Sequence, residues 1–137
     1  MTLKTATISK MVAGEPTGGF DVVFANEVYN GCPIFQHRDF FEFYMSTYST
    51  ITSTDRWEYV VTGNDGNITA SMAVYKDNDM HVGECLSVLV AFSTDDHSLF
   101  GGYRWLMKLA KKLKIPFVAY TRKTGDFTMD LVYKKVL

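Results

Sequence analysis

Residues 84–117 read ECLSVLVAFSTDDHSLFGGYRWLMKLAKKLKIPF, and this stretch decides the fold. Glu84–Phe92 is apolar at nearly every position, as expected of a strand covered on both faces. Ser93–Ser98 is a polar bend that contains Asp95, Asp96 and His97. From about Leu99 to Lys114, Tyr103, Leu106, Met107, Ala110 and Leu113 recur at three- and four-residue spacing. Arg104, Lys108, Lys111, Lys112 and Lys114 fall largely elsewhere, so the segment predicts an amphipathic helix. Ile115-Pro116 ends that helix and opens another strand. A strand, a bend and a helix start form a natural anion site, because unpaired backbone N–H groups point out of a helix N-terminus.

Working back from this stretch, the middle of the chain reads as a meander. Trp57–Thr62 is a strand, and Gly63-Asn64-Asp65-Gly66-Asn67 is a hairpin turn whose residue types tolerate positive φ. Ile68–Tyr75 returns with alternating apolar positions, Asp77-Asn78-Asp79 predicts the next turn, and a third strand runs from about Met80 to Phe92. His37 to about Tyr48 reads as a helix, with Phe40, Phe41, Tyr44, Met45 and Tyr48 in helical spacing. The Ser- and Thr-rich segment 46–54 predicts a connecting loop. Thr5–Val12 is a first strand, and Phe20–Tyr29 reads as a second strand by its β-branched content or else as a short helix, the strand being the favoured reading. Beyond the helix, Pro116–Thr121, a turn at 122–126 and Phe127–Tyr133 close as a hairpin. The expectation is a mixed α/β sheet with an antiparallel meander and flanking helices, in one domain over 1–137.

Composition agrees with a globular chain: 47% of residues are hydrophobic, 21% charged and 15% aromatic. The aromatic share is high, which supplies bulky core and some surplus for an interface. Cys32 and Cys85 are too far apart to read as a disulfide framework or zinc site, which fits a reducing, cytoplasmic setting. Met1-Thr2-Leu3-Lys4 carries no signal-like apolar run, and no stretch approaches the roughly 18 apolar residues of a membrane span. Charge is divided unevenly. Residues 1–100 hold five Lys/Arg against 13 Asp/Glu, and residues 101–137 hold nine against two. The basic C-terminal third either faces an anionic partner or presents solvating lysines. No nucleic-acid motif accompanies Arg104, Lys108, Lys111, Lys112, Arg122 and Lys123, so a nucleic-acid partner is not expected.

The order strand, helix, three-strand meander, loop, helix, strand resembles the GNAT superfamily of N-acetyltransferases from about residue 34 onward. In that family the last meander strand and the strand after the helix splay apart. The gap receives the pantetheine of acetyl-CoA, and the loop and helix start receive its pyrophosphate. Leu86-Ser87-Val88-Leu89-Val90 resembles the splayed strand, which implies cofactor contacts at Val88, Leu89 and Val90. Ser98-x-x-Gly101-x-Tyr103-x-x-Leu106 lies where the family carries (Gln/Arg)-x-x-Gly-x-(Gly/Ala)-x-x-Leu, which implies contacts at Ser98, Gly101, Gly102, Tyr103 and Arg104. Ser98 replaces the Gln or Arg, and Tyr103 replaces the small residue. The bulk of Tyr103 predicts a filled or distorted cleft, and Asp95 and Asp96 bring negative charge to it.

What the resemblance implies is acetyl-CoA-dependent transfer to an amine. That chemistry needs a base or water relay, polarising N–H groups and an acid for the leaving thiolate. Glu84, ahead of the apolar strand, is the candidate base; His81 is a second. The family's acid is often a tyrosine after the helix, which implies Tyr120 or Tyr133. In size and aromatic content the chain also resembles small GNAT-like proteins of tailed phages, some of them virion or head-assembly components. The alternative is therefore a non-catalytic protein with a phage or host protein partner, located in the host cytoplasm or the virion, and an oligomer fits that reading.

Overall fold

The computed structural model describes residues 3–95 and 97–137. Six strands form one sheet whose spatial order equals the chain order. They are β1 (Lys4–Met11), β2 (Arg56–Gly63), β3 (Ile68–Asp79), β4 (Gly83–Ser93), β5 (Phe117–Gly125) and β6 (Thr128–Lys135). Every adjacent pair is antiparallel except β4 and β5, which are parallel. Helices α1 (Val22–Gly31) and α2 (Phe40–Thr52), joined through a 3₁₀ turn at Pro33–Phe35, lie between β1 and β2 in the chain. Helix α3 (Phe100–Lys112) makes the crossover from β4 to β5. The expected parallel pair with a helix between its strands is present. No helix among the described residues is long and apolar enough to cross a membrane.

Period-two alternation divides the core into two layers. Tyr59, Val61, Met72, Val74, Leu86 and Val118 pack with Leu106 and Ala110 of α3. The intervening residues Val60, Ala73 and Val90 face the other way, onto Phe20, Phe24, Phe43 and Ile51. That second layer is where most of the aromatic surplus goes. Phe43 has no exposed surface and touches the rings of Phe20, Tyr29, Phe35 and Phe92.

Several elements differ from the sequence expectation, each for a local reason. The expected strand at Phe20–Tyr29 is helix α1. The Asp21 carboxylate caps it by accepting from the Phe24 N–H at 2.8 Å, and Phe24, Ala25 and Val28 make its buried stripe. A cap and a buried face outweigh the modest helix penalty of β-branched residues. The expected loop at 46–54 is instead the second half of α2. There Thr50, Thr52 and Ser53 return their hydroxyls to carbonyls four residues earlier, and buried Ile51 anchors the turn. The turn expected at Asp77–Asp79 moves to Met80–Val82. Asp79 receives the N–H groups of His81 and Val82, while Gly83 supplies a φ of +76°. The hairpin expected to turn at 122–126 keeps Arg122–Gly125 in β5 and turns at Asp126-Phe127.

A buried ion pair fixes the loop that leads into α1. The Arg56 Nε donates to Glu58 at 2.6 Å, and neither residue has appreciable exposure. Other guanidinium N–H groups reach the carbonyls of Thr54, Glu15 and Pro16. Four of the five N–H donors of this desolvated cation thus end on an oxygen, and each guanidinium nitrogen has at least one partner, the condition under which a buried charge is tolerated.

Candidate active site

The parallel seam is short. β4 and β5 pair only at Cys85↔Phe117, Leu86↔Val118 and Ser87↔Ala119. Beyond those three rungs the strands separate, so Val88–Ser93 and Tyr120–Gly125 face one another without pairing. β4 remains bound to β3 along its other edge, where the register skips Leu89 between Ala73↔Val90 and Val74↔Val88. Such a bulge increases local twist and turns main-chain groups away from the ladder. The separation opens a cleft of about 1290 Å³. One wall is Leu89–Asp95 and the other is Tyr120–Lys123. Glu27, Cys32 and Phe35 close one side, and Tyr103 and Met107 of α3 close the other.

The cleft is open, not filled as the bulk of Tyr103 suggests. The Tyr103 ring lies on the wall, edge-on to Tyr120 with centroids 5.3 Å apart. Burial pushes the Tyr103 phenol above its ordinary value, with the neighbouring Tyr120 adding to the effect, so this wall holds a protonated hydroxyl at neutral pH.

The loop from β4 to α3 is organised around Asp95. Its carboxylate accepts from the N–H groups of Ser98 at 2.7 Å and His97 at 3.0 Å, and from the Ser98 hydroxyl at 2.7 Å. Lys4 of β1 pairs with the same carboxylate and also reaches the Ser98 Oγ at 2.9 Å. The Ser98 and Thr69 hydroxyls lie 3.2 Å apart, which ties the network to β3. Partial burial works against ionisation, but the Lys4 ammonium, the Ser98 hydroxyl and the two N–H groups outweigh it. Together they hold the Asp95 carboxyl well below the usual carboxylate range. Asp96 lies outside the described residues.

Gly101 and Gly102 are turned toward the sheet. A Cβ on Gly101 would stand 2.4 Å from the Tyr59 hydroxyl oxygen, and one on Gly102 would stand 3.2 Å from the Tyr59 ring. The two glycines therefore let α3 sit down on Tyr59, and the tyrosine ring in turn stacks on Trp105. Their N–H groups have no acceptor among the described residues.

The structure brings Leu89, Val90, Tyr103 and Tyr120 together around the cleft. Val88 packs instead with the α3 layer, and Arg104 is exposed on α3. Ser98, Gly101 and Gly102 belong to the loop and helix start, outside the cleft lining. Glu84 is an exposed residue at the other end of β4, below the paired rungs. Tyr133 pairs with Ala119 there, donating to the Asp79 carboxylate at 2.9 Å, with His81 Nδ1 3.1 Å away. His97 stacks edge-on against Phe100 at the surface. Sequence reasoning missed Glu27, Cys32 and Lys123 as wall residues. The cap at Asp21 and the spacing of Phe24, Ala25 and Val28 were the available signals for the first two. Lys123 needed the correct length of β5.

Acid titration tests the Asp95 network. A carboxylate held below its unfolded-state value contributes stability above about pH 4, and that contribution is lost as pH falls further. Asp95→Asn is therefore expected to lower the melting temperature at pH 7 and to narrow its gap from the parent chain toward pH 2. An equal gap at both pH values would show that the network does not work through the carboxylate charge.

No protein-family profile matches the sequence, and no curated protein matches it. Among solved structures, the chain is similar to a protein described as a possible acetyltransferase from Clostridium difficile 630. The TM-score is 0.50 at 11% sequence identity, over 89% of this chain and 82% of that one. Identity this low speaks to the fold alone. Taken with the short parallel seam and the α3 crossover, it establishes a mixed α+β, GNAT-like fold.

Proposed function

We propose that the chain binds an acyl thioester of a pantetheine arm in the β4–β5 cleft and transfers the acyl group to an amine. The carrying observation is the loss of pairing after three rungs. It leaves main-chain donors and acceptors of Val88–Ser93 turned to an open space where an extended amide chain can complete the ladder. The bulge at Leu89 supplies N–H groups of altered direction for the thioester carbonyl. A substrate amine on the α1 side of the cleft meets Glu27, the carboxylate on that wall suited to remove its proton. Tyr120, with Tyr103 beside it, supplies a proton to the departing thiolate. Met107 and Phe35 are apolar wall residues that limit water.

Melting with and without millimolar acetyl-CoA tests the binding. A ligand present at about 100 times its dissociation constant stabilises by about 2.7 kcal/mol. For a chain of this size that is a rise of several degrees, on the order of 3 °C per kcal/mol. No rise at all favours the second reading, a non-catalytic GNAT-like protein that docks a phage or host partner. The occupation of the loop N–H groups by Asp95 is the observation on that side. In the catalytic reading, Glu27→Gln is expected to lower the amine-acetylation rate by about 10²–10⁴ with the acetyl-CoA melting shift retained. An unchanged rate removes Glu27 from the role.

A further inference from the structure

We infer that the thioester reaches the cleft on the phosphopantetheine arm of an acidic carrier domain, not as free CoA; this rests on the pantetheine reading above. Two donor classes end in the same arm and thiol. They differ in what lies at the far end, a nucleotide carrying a diphosphate and a further phosphate, or a folded domain joined through a single phosphodiester.

Two independent observations separate them. The first is the loop between β4 and α3. The N–H groups of His97 and Ser98, which a diphosphate would use, already hold the Asp95 carboxylate, and Lys4 pairs with that carboxylate as well. The N–H groups of Gly101 and Gly102 lie within the next turn and have no acceptor among the described residues. A nucleotide diphosphate thus finds two of the loop's N–H donors already taken, whereas a single phosphodiester needs fewer donors and can use those of Gly101 and Gly102 alone.

The second observation is the rim. Arg104, Lys108 and Lys111 follow at i, i+4 and i+7 on the exposed face of α3, directly beside the wall residues Tyr103 and Met107. Lys123, in the cleft wall, extends the same charge along the part of β5 that is unpaired with β4, while Arg122 beside it pairs with Asp130 at 3.6 Å. Among the described residues, Arg104, Lys108 and Lys111 have no acidic partner. An unneutralised basic strip next to the cleft suits a partner with an acidic surface, and steers it to the point where its arm can enter. In the reaction the amine nitrogen attacks the thioester carbon, the C–N bond forms and the C–S bond breaks. The amine proton passes to Glu27, and the thiolate takes a proton from Tyr120, leaving an amide and the carrier thiol.

Calorimetry on the intact chain with three probes tests this: acetyl-CoA, acetyl-4′-phosphopantetheine, and an acetyl-loaded acidic carrier domain. Acetyl-CoA should bind no more than about threefold tighter than acetyl-phosphopantetheine, and the carrier about tenfold tighter than either at low salt. The carrier's advantage should shrink as salt rises. The triple variant Arg104→Glu, Lys108→Glu, Lys111→Glu should remove the carrier's advantage and leave phosphopantetheine binding unchanged. Asp95→Asn should raise acetyl-CoA affinity selectively. A tenfold preference for acetyl-CoA in the parent chain, a carrier no tighter than the free arm, or an Asp95→Asn variant with unaltered acetyl-CoA affinity overturns the inference while the acyltransfer reading stands. Absence of binding by all three probes overturns both.

Discussion

Replacing Arg56 with alanine is expected to destabilise the chain by about 3–5 kcal/mol, because it leaves the Glu58 carboxylate buried and uncompensated. The same change frees the carbonyls of Glu15 and Pro16, which lead into α1. The midpoint of urea unfolding should fall with its slope nearly unchanged, and the melting temperature should drop by roughly 10 °C or more. Charge alone does not account for the expected loss. Replacing both partners by apolar residues, Arg56→Met with Glu58→Leu, should recover much of it, since desolvating two ions cancels a large part of their attraction. A single Arg56→Ala variant within 1 kcal/mol of the parent would mean that water reaches Glu58.

Phe43→Ala should be comparably severe, at about 3–5 kcal/mol, because a wholly buried ring is removed from a packed cluster. Phe35 lies closest, 4.6 Å away between ring centroids, and it also lines the cleft. The variant is therefore expected to weaken acetyl-CoA binding even at temperatures where it stays folded. Phe41, two residues earlier and largely exposed, is the natural control: Phe41→Ala should change stability by no more than about 0.5 kcal/mol. Equal effects at the two positions would contradict the layer assignment.

These two positions also show what the sequence could and could not convey. The apolar run before Phe92 and the helical period after Leu99 were both legible because each carries its periodicity over many residues. The parallel relation of β4 and β5 followed from the helix between them. Helix α1 was misread because Val22, Val23 and Val28 favour strands intrinsically, while the decisive contacts of Phe24 and Ala25 are made with Phe43 and its neighbours, remote in the chain. That misreading removed a whole wall of the cleft from view, and Glu27 with it. Gly101 stands where the phosphate-loop pattern has its first glycine, yet its missing side chain makes room for the Tyr59 hydroxyl, a partner on β2 that no local pattern reveals. Asp95 carried a sign of charge but no direction. That it caps its own loop rests on a pairing with Lys4, at the far end of the sequence.

The three-rung seam also sets how the sheet comes apart. β2, β3 and β4 share long antiparallel ladders, and β5 with β6 share another, but the two groups meet through the short Cys85–Ser87 and Phe117–Ala119 seam, through the Tyr133–Asp79 hydrogen bond beside it, and through α3. The β5–β6 hairpin is therefore expected to open as a separate cooperative unit. Its amides should exchange with solvent together, at a lower free energy than those of the meander. The hinge of that opening is the floor of the cleft, so a molecule bridging both walls would slow exchange on β5 and β6 more than anywhere else in the chain.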